Sequence, residues 1–166
     1  QCRCGVYDAC HSSLSGQRRR KNTLISFLLL LYTKELKQKA DELGISSKVV
    51  WHGFSSNVKE EIKDSRMFVL SSDYEGISNS MLEAIAMGVP TITTDCPIYG
   101  ARCYIENGVS GILTPVGEKE PLRDAMIQVA KEDEFAEKLS VNGAAIRTQY
   151  SVNGIAKRFL QAAGLE

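Results

Sequence analysis

The chain has 166 residues, 43% hydrophobic and 24% charged, and its twenty basic residues are balanced by twenty acidic ones. That is enough chain for one domain with its own core, and the neutral balance gives the body no general affinity for nucleic acid or membrane surfaces. The cysteines, Cys2, Cys4, Cys10, Cys96 and Cys103, are odd in number and crowded at one end, which makes a poor disulfide framework. Cys96 and Cys103 read as reduced thiols of a cytosolic protein.

Residues 1–31 form an atypical leader, either without order or partly an added strand. Residues 1–23 are polar and aperiodic. Cys2, Cys4, Cys10 and His11 have the residue types of a zinc site, but their spacing fits no familiar finger and a disordered end is the simpler account. The basic run Arg18 to Lys21 precedes an apolar run, Leu24 to Tyr32, an order that imitates a secretory signal. No small-residue cleavage site follows, and nine residues fall well short of the ~20 that a spanning helix needs. The run is read instead as a buried strand of a parallel sheet.

From Thr33 onward helices and strands alternate. Lys34 to Leu43 places Leu36, Ala40 and Leu43 on one helical face, pairs Glu35 with Lys39, and stops at Gly44. Lys48 to Phe54 is strand-like. Asn57 can cap a short helix to Ser65, and Met67 to Ser71 is the next strand. A helix opening near Asn79 is apolar nearly all round and ends at Gly88 and Pro90. Thr91 to Thr94 and Gly111 to Pro115 supply two further strands. Pro121 suits the first turn of a helix striped by Leu122, Ala125, Met126, Val129 and Ala130. Two more helices follow, Glu134 to Tyr150 and Ser151 to Ala163, the second capped by Ser151 with a face of Val152, Ile155, Ala156, Phe159 and Leu160. This alternation predicts an α/β fold: a doubly wound, Rossmann-like parallel sheet covered on both faces, with extra C-terminal helices.

Ligands of such sheets bind beyond the carboxyl ends of the strands, so the segments after them hold the candidates: His52 to Ser56, Ser71 to Ser80, Asp95 to Arg102 and Thr114 to Gly117. The richest is Asp73 to Pro90, DYEGISNSMLEAIAMGVP. Glu75, beside Gly76, can accept sugar hydroxyls or stabilise positive charge at an anomeric carbon; an ordinary solvated turn glutamate is the alternative. Ser78, Asn79, Ser80 and the free amides of the helix start can hold phosphate oxygens. Glu83 has two readings. It is the capping-box partner of Ser80, three residues on, or, if the helix starts at Asn79, it points from the first turn toward a ribose diol. His52, with Gly53, closes the second strand; a lone histidine there is more often structural than catalytic. Arg102 and Lys119 are the cations nearest in sequence to the later strand ends. No catalytic triad, Walker loop or zinc-helix motif occurs, and the early Gly-x-Gly-x-x-Gly fingerprint of an epimerase or dehydrogenase is missing.

YEGISNSMLEAIAMGVPTITTD followed by GARCYIENGVSGILTPVG resembles the donor-binding half of the retaining GT-B glycosyltransferases of family 4, glycosyl transferases group 1. The resemblance runs from about Tyr32 to Ala163. It rests on two glutamates with seven residues between them, Glu75 and Glu83, then Gly88-Val89-Pro90, Asn107-Gly108 with Gly111, and Pro115-x-Gly117. It implies that Glu75 contacts the donor sugar near the reacting carbon and Glu83 the nucleotide ribose, while Gly76, Ile77, Ser78 and Asn79 touch sugar and diphosphate. The implied reaction moves a sugar from a nucleoside diphosphate sugar to an acceptor hydroxyl with retention, without cofactor or metal, in bacterial polysaccharide or glycan assembly. The acceptor glycan or lipid-linked sugar is expected to bind a further N-terminal domain. The whole enzyme is expected in the cytoplasm, peripherally at the membrane face, with no nucleic-acid partner. Tyr99-Gly100-Ala101-Arg102-Cys103 departs from the family's Gly-Gly-x-x-Glu, and residues 1–31 show no match to its Arg and Lys-Gly diphosphate loop. Residues 32–166 are thus expected to be an N-terminally truncated donor domain, inactive alone. The alternative from another class is a non-catalytic Rossmann-like nucleotide- or partner-binding module.

Overall fold

The computed structural model describes residues 24–26, 33–52, 57–98 and 100–165. The elements run β1 (Leu24–Ser26), α1 (Thr33–Glu42), β2 (Val49–Trp51), α2 (Val58–Ile62), β3 (Phe68–Leu70), α3 (Asn79–Ala86), β4 (Thr91–Thr94), β5 (Ile112–Thr114), α4 (Lys119–Lys131), α5 (Asp133–Ala144), α6 (Ile146–Gln149) and α7 (Val152–Ala162). The apolar run after the basic cluster does contribute a strand, over Leu24–Ser26. The cysteine-rich start, the rest of that run, Gly53 and Tyr99 lie outside the described residues.

Every strand pairing is parallel. β4 is central in a three-stranded ladder, with Val69 opposite Ile92 and Ile92 opposite Ile112. Its residues are buried throughout, which explains why TITT shows no polar alternation. The threonine hydroxyls turn to the backbone: Thr91 Oγ1 donates to Val89 O at 2.9 Å and Thr94 Oγ1 to Ser72 O at 2.5 Å. β1 and β2 form a separate ladder, from Leu24–Val49 to Ser26–Trp51. The parallel strand arrangement expected from the alternation is present, as two ladders among the described residues.

The three-stranded ladder is covered on both faces, as a doubly wound fold requires. Val69, Ile92 and Ile112 meet Leu122, Met126 and Val129 of α4. Phe68, Leu70 and Leu113, on the opposite side of the pleat, meet Met81 and Ile85 of α3 together with Ala101, Ile105 and Ile146. A third cluster joins Ile62 of α2 to Ala84 and Val89. α3 is consequently walled in on several sides, in keeping with its nearly all-apolar sequence. It ends in a Schellman arrangement, Val89 N to Ala84 O and Gly88 N to Ile85 O, with Gly88 at φ 74°, where a side chain would be strained.

Three local expectations change. On α1, Lys39 is paired with Glu42 at 3.2 Å in place of Glu35. Asn57 stands at the N-cap of α2, but its side chain makes no capping bond. The helix expected from Glu134 to Tyr150 is two helices. The chain tightens at Ala145, whose amide bonds Asn142 O, so that Ile146 turns into the α3 cluster. Before that turn Gly143 lies against Ser110 O, where a Cβ would come within 2.9 Å, and Asn142 Nδ2 donates to Val109 O.

Ser151 caps α7 as its position implies, accepting from Gly154 N at 3.0 Å. The apolar face does not reach the core, however. Val152 is 84% exposed and Phe159 73%, and no residue of α7 is buried. Among the described residues no helix is long and apolar enough to cross a membrane.

Candidate functional site

Because β3, β4 and β5 are parallel, their carboxyl ends share one edge, and the segments leaving β3 and β4 meet there. Ser78 is the N-cap of α3. It is buried, its Oγ accepts from Met81 N at 3.4 Å, and it lies 3.0 Å from Ser80 Oγ. The first backbone bond of the helix runs from Leu82 N to Ser78 O, leaving the amides of Asn79 and Ser80 ahead of the ladder. Asn79 and Ile77 are exposed and Ser80 is half-buried. The helix thus opens toward solvent through small polar residues, with the positive end of its dipole outward.

This start removes the capping-box reading of Glu83. With Ser78 as cap, the capping-box position falls on Met81, so Glu83 is not the partner of Ser80. It is the fifth residue of α3, one step beyond the first turn. Its carboxylate is half-exposed, and Oε1 stands 3.4 Å from Nζ of Lys59 on α2. Glu75 sits in the turn between β3 and α3, partly covered, and makes no hydrogen bond or ion pair with any described residue. Two carboxylates therefore flank an open helix N-terminus, one before it and one after.

The segment after β4 closes on this turn from behind. Ser72 O accepts from Thr94 Oγ1 at 2.5 Å and from Cys96 Sγ at 3.2 Å, which fixes the turn's start. Gly100 is seated on the Gly76–Ile77 peptide so closely that a Cβ there would lie 2.0 Å from Gly76 O. Sequence reasoning assigned Gly100 no place in the site; its signal was the single glycine kept where the related motif has two. Arg102 holds Asp95 in a two-pronged contact along one guanidinium edge, Nε to Oδ1 at 2.6 Å and Nη2 to Oδ2. It is thereby committed to bracing this segment. Asp95 and Arg102, with Asn107, Thr114 and Pro115, line an open hollow of about 520 Å³ at the ends of β4 and β5. Lys119 opens α4 and is exposed.

His52 follows β2, and its Nδ1 is 2.7 Å from Glu61 Oε2, a second side-chain contact made through α2. The structure brings Glu75, Gly76, Ile77, Ser78, Asn79, Ser80 and Glu83 onto one turn and helix start. His52 is attached to it through α2. Among the described residues no group of three or more potential metal ligands is gathered, and neither Cys96 nor Cys103 is in a disulfide.

A turn of this build is common to many α/β proteins, so the pattern along the whole chain decides the family. Residues 31–145, well over half of the chain, match the model of the family described as glycosyl transferases group 1. The chain belongs to that family. This group 1 chain is 38% identical over 80 residues to a lipopolysaccharide 1,6-galactosyltransferase of Salmonella typhimurium, covering 46% of itself and 22% of that protein. It is 26% identical to the lipopolysaccharide core biosynthesis glycosyltransferase LpsE of Rhizobium meliloti, over 76% of itself and 37% of that protein. The chain therefore spans well under half the length of these relatives. Its fold matches that of Anabaena HepE, solved in complex with UDP and with UDP-glucose, at TM-scores of 0.71 and 0.69 and 24% identity, over 80% of this chain and 36% of that one.

Proposed function

We propose that this group 1 chain is the donor-binding part of a retaining, family 4 glycosyltransferase, moving a sugar from a nucleoside diphosphate sugar to an acceptor hydroxyl in bacterial polysaccharide or glycan assembly. The observation that carries the reading is Glu75, without a partner among the described residues, beside the open N-terminus of α3, with Glu83 beyond it. The amides of Asn79 and Ser80 and the dipole of α3 hold the diphosphate and stabilise the charge it gains as leaving group. Glu83 accepts hydrogen bonds from the ribose diol. Glu75, one residue before the glycine that Gly100 backs, accepts donor-sugar hydroxyls and faces the positive charge that develops at the anomeric carbon. His52 borders the nucleoside end. No step in this scheme calls on a metal.

The names of the relatives support the polysaccharide setting, and the UDP complexes of the HepE fold support the donor class. We place the whole enzyme at the cytoplasmic face of the membrane, with its acceptor glycan held by a second domain. Calorimetric titration of the chain with UDP, GDP and their sugars tests the reading. One nucleotide series should bind, and Glu83→Ala should abolish the heat. No heat with any of them from folded protein would end the proposal.

A further inference from the structure

A bound nucleoside diphosphate sugar brings two negative charges, and sequence order nominates Arg102 and Lys119 to meet them. Arg102 is engaged with Asp95 along its Nε–Nη2 edge, and Lys119 opens α4. The structure offers a cation from an element that sequence order does not connect with the turn. Lys59, in α2, lies 3.4 Å from Glu83, although the two are separated by β3 and its turn. α2 is a five-residue helix, too short to hold itself together in water. Three attachments fix it in place: Ile62 in the cluster with Ala84 and Val89, Glu61 against His52, and Lys59 against Glu83. It therefore spans from the end of β2 to α3, joining the two residues assigned to the nucleoside end.

We propose that Lys59 is a further donor-binding residue, which exchanges Glu83 for the diphosphate when the nucleotide enters. This rests on the donor-site reading above. In the structure the ammonium lies against the Glu83 carboxylate from the side of α2. In a ribonucleoside 5′-diphosphate the diol and the first phosphate belong to the same nucleotide. A cation in contact with the carboxylate that takes the diol is thus one side-chain rotation from the phosphate. Glu83 passes from Lys59 to the two hydroxyls, and Lys59 passes from Glu83 to a phosphate oxygen. Neither charge is left without a partner in either state. The lysine's flexible stem and three donors suit this exchange better than a rigid guanidinium would. Its side chain is 64% exposed, so the swing displaces no core residue.

The test compares UDP with uridine on the wild-type chain, Lys59→Met and Glu83→Gln, by ligand-detected NMR titration, with circular dichroism to confirm folding. Lys59→Met should weaken UDP by about ten-fold, the loss of one charge-assisted bond, and leave uridine within about two-fold. Glu83→Gln should weaken both ligands, and Lys59→Arg should restore most of the UDP affinity. Equal losses of UDP and uridine in Lys59→Met would show that Lys59 acts only by holding Glu83, and would overturn the proposal. So would unchanged UDP affinity. Failure of the wild-type chain to bind UDP while another nucleoside diphosphate binds moves the same comparison to that nucleotide and its nucleoside. Failure to bind any of them defeats the donor-site reading itself, an outcome distinct from the other two.

Discussion

Gly100→Ala tests how the donor turn is held. An added Cβ would stand 2.0 Å from Gly76 O and 2.5 Å from Gly76 C, where ordinary contacts are 3.4–4 Å. The obstacle is backbone, so no side-chain rotation relieves it. Either the segment after β4 withdraws or the turn moves. Withdrawal strains the bonds that tie both segments at Ser72 O and the Asp95–Arg102 brace. Overpacking of this kind costs about 1–3 kcal/mol. For a chain of this length that lowers the melting temperature by roughly 2–12 °C. Gly76→Ala is the matched control. The same contact seen from the other side leaves open space, nothing lying within 4 Å of a Cβ on Gly76. It should melt close to wild type. Thermal unfolding followed by circular dichroism decides the matter. A Gly100→Ala melt within error of wild type, or a Gly76→Ala loss as large, would refute the close-contact reasoning.

Ile92→Ala removes a fully buried side chain at the centre of the three-stranded ladder, and should cost about 2–5 kcal/mol in urea unfolding. Ser78→Ala deletes the α3 cap. Because the bond to Met81 N is long at 3.4 Å, the loss should fall near the lower end of the usual range, about 0.5–1 kcal/mol, by the same assay. Arg102→Met should cost no more than about 1 kcal/mol of stability, since the guanidinium is half-exposed, and that cost should shrink in high salt.

The elements themselves were largely legible because the period of apolar residues and the stop residues agree. TITT became β4 as bounded, Gly88 ended α3 at a left-handed position, and Ser151 capped α7. What period cannot say is what covers a face. The α7 stripe has the spacing of a buried helix and meets no core, while the Glu134–Tyr150 pattern concealed the turn at Ala145 that seats Ile146. The site divides in the same way. Glu75 through Glu83 lie on one turn and helix, so their association follows from chain continuity. The capping reading of Glu83 hung on a two-residue difference in where α3 begins, and boundaries are the least determined feature of a sequence pattern. Lys59 and Gly100 reach the turn through tertiary contacts, 24 residues away in each case from Glu83 and Gly76, and no local pattern marks them.

The central claim is that a nucleotide sugar binds on the turn between β3 and α3. The most direct measurement is the change in backbone amide resonances when UDP or UDP-glucose is added to the isotope-labelled chain. The account predicts that the amides of Gly76, Ile77, Asn79 and Ser80 shift in a saturable manner, and that Glu83→Ala suppresses the shifts. Saturable shifts confined to other parts of the chain, with these four amides unmoved, would contradict it.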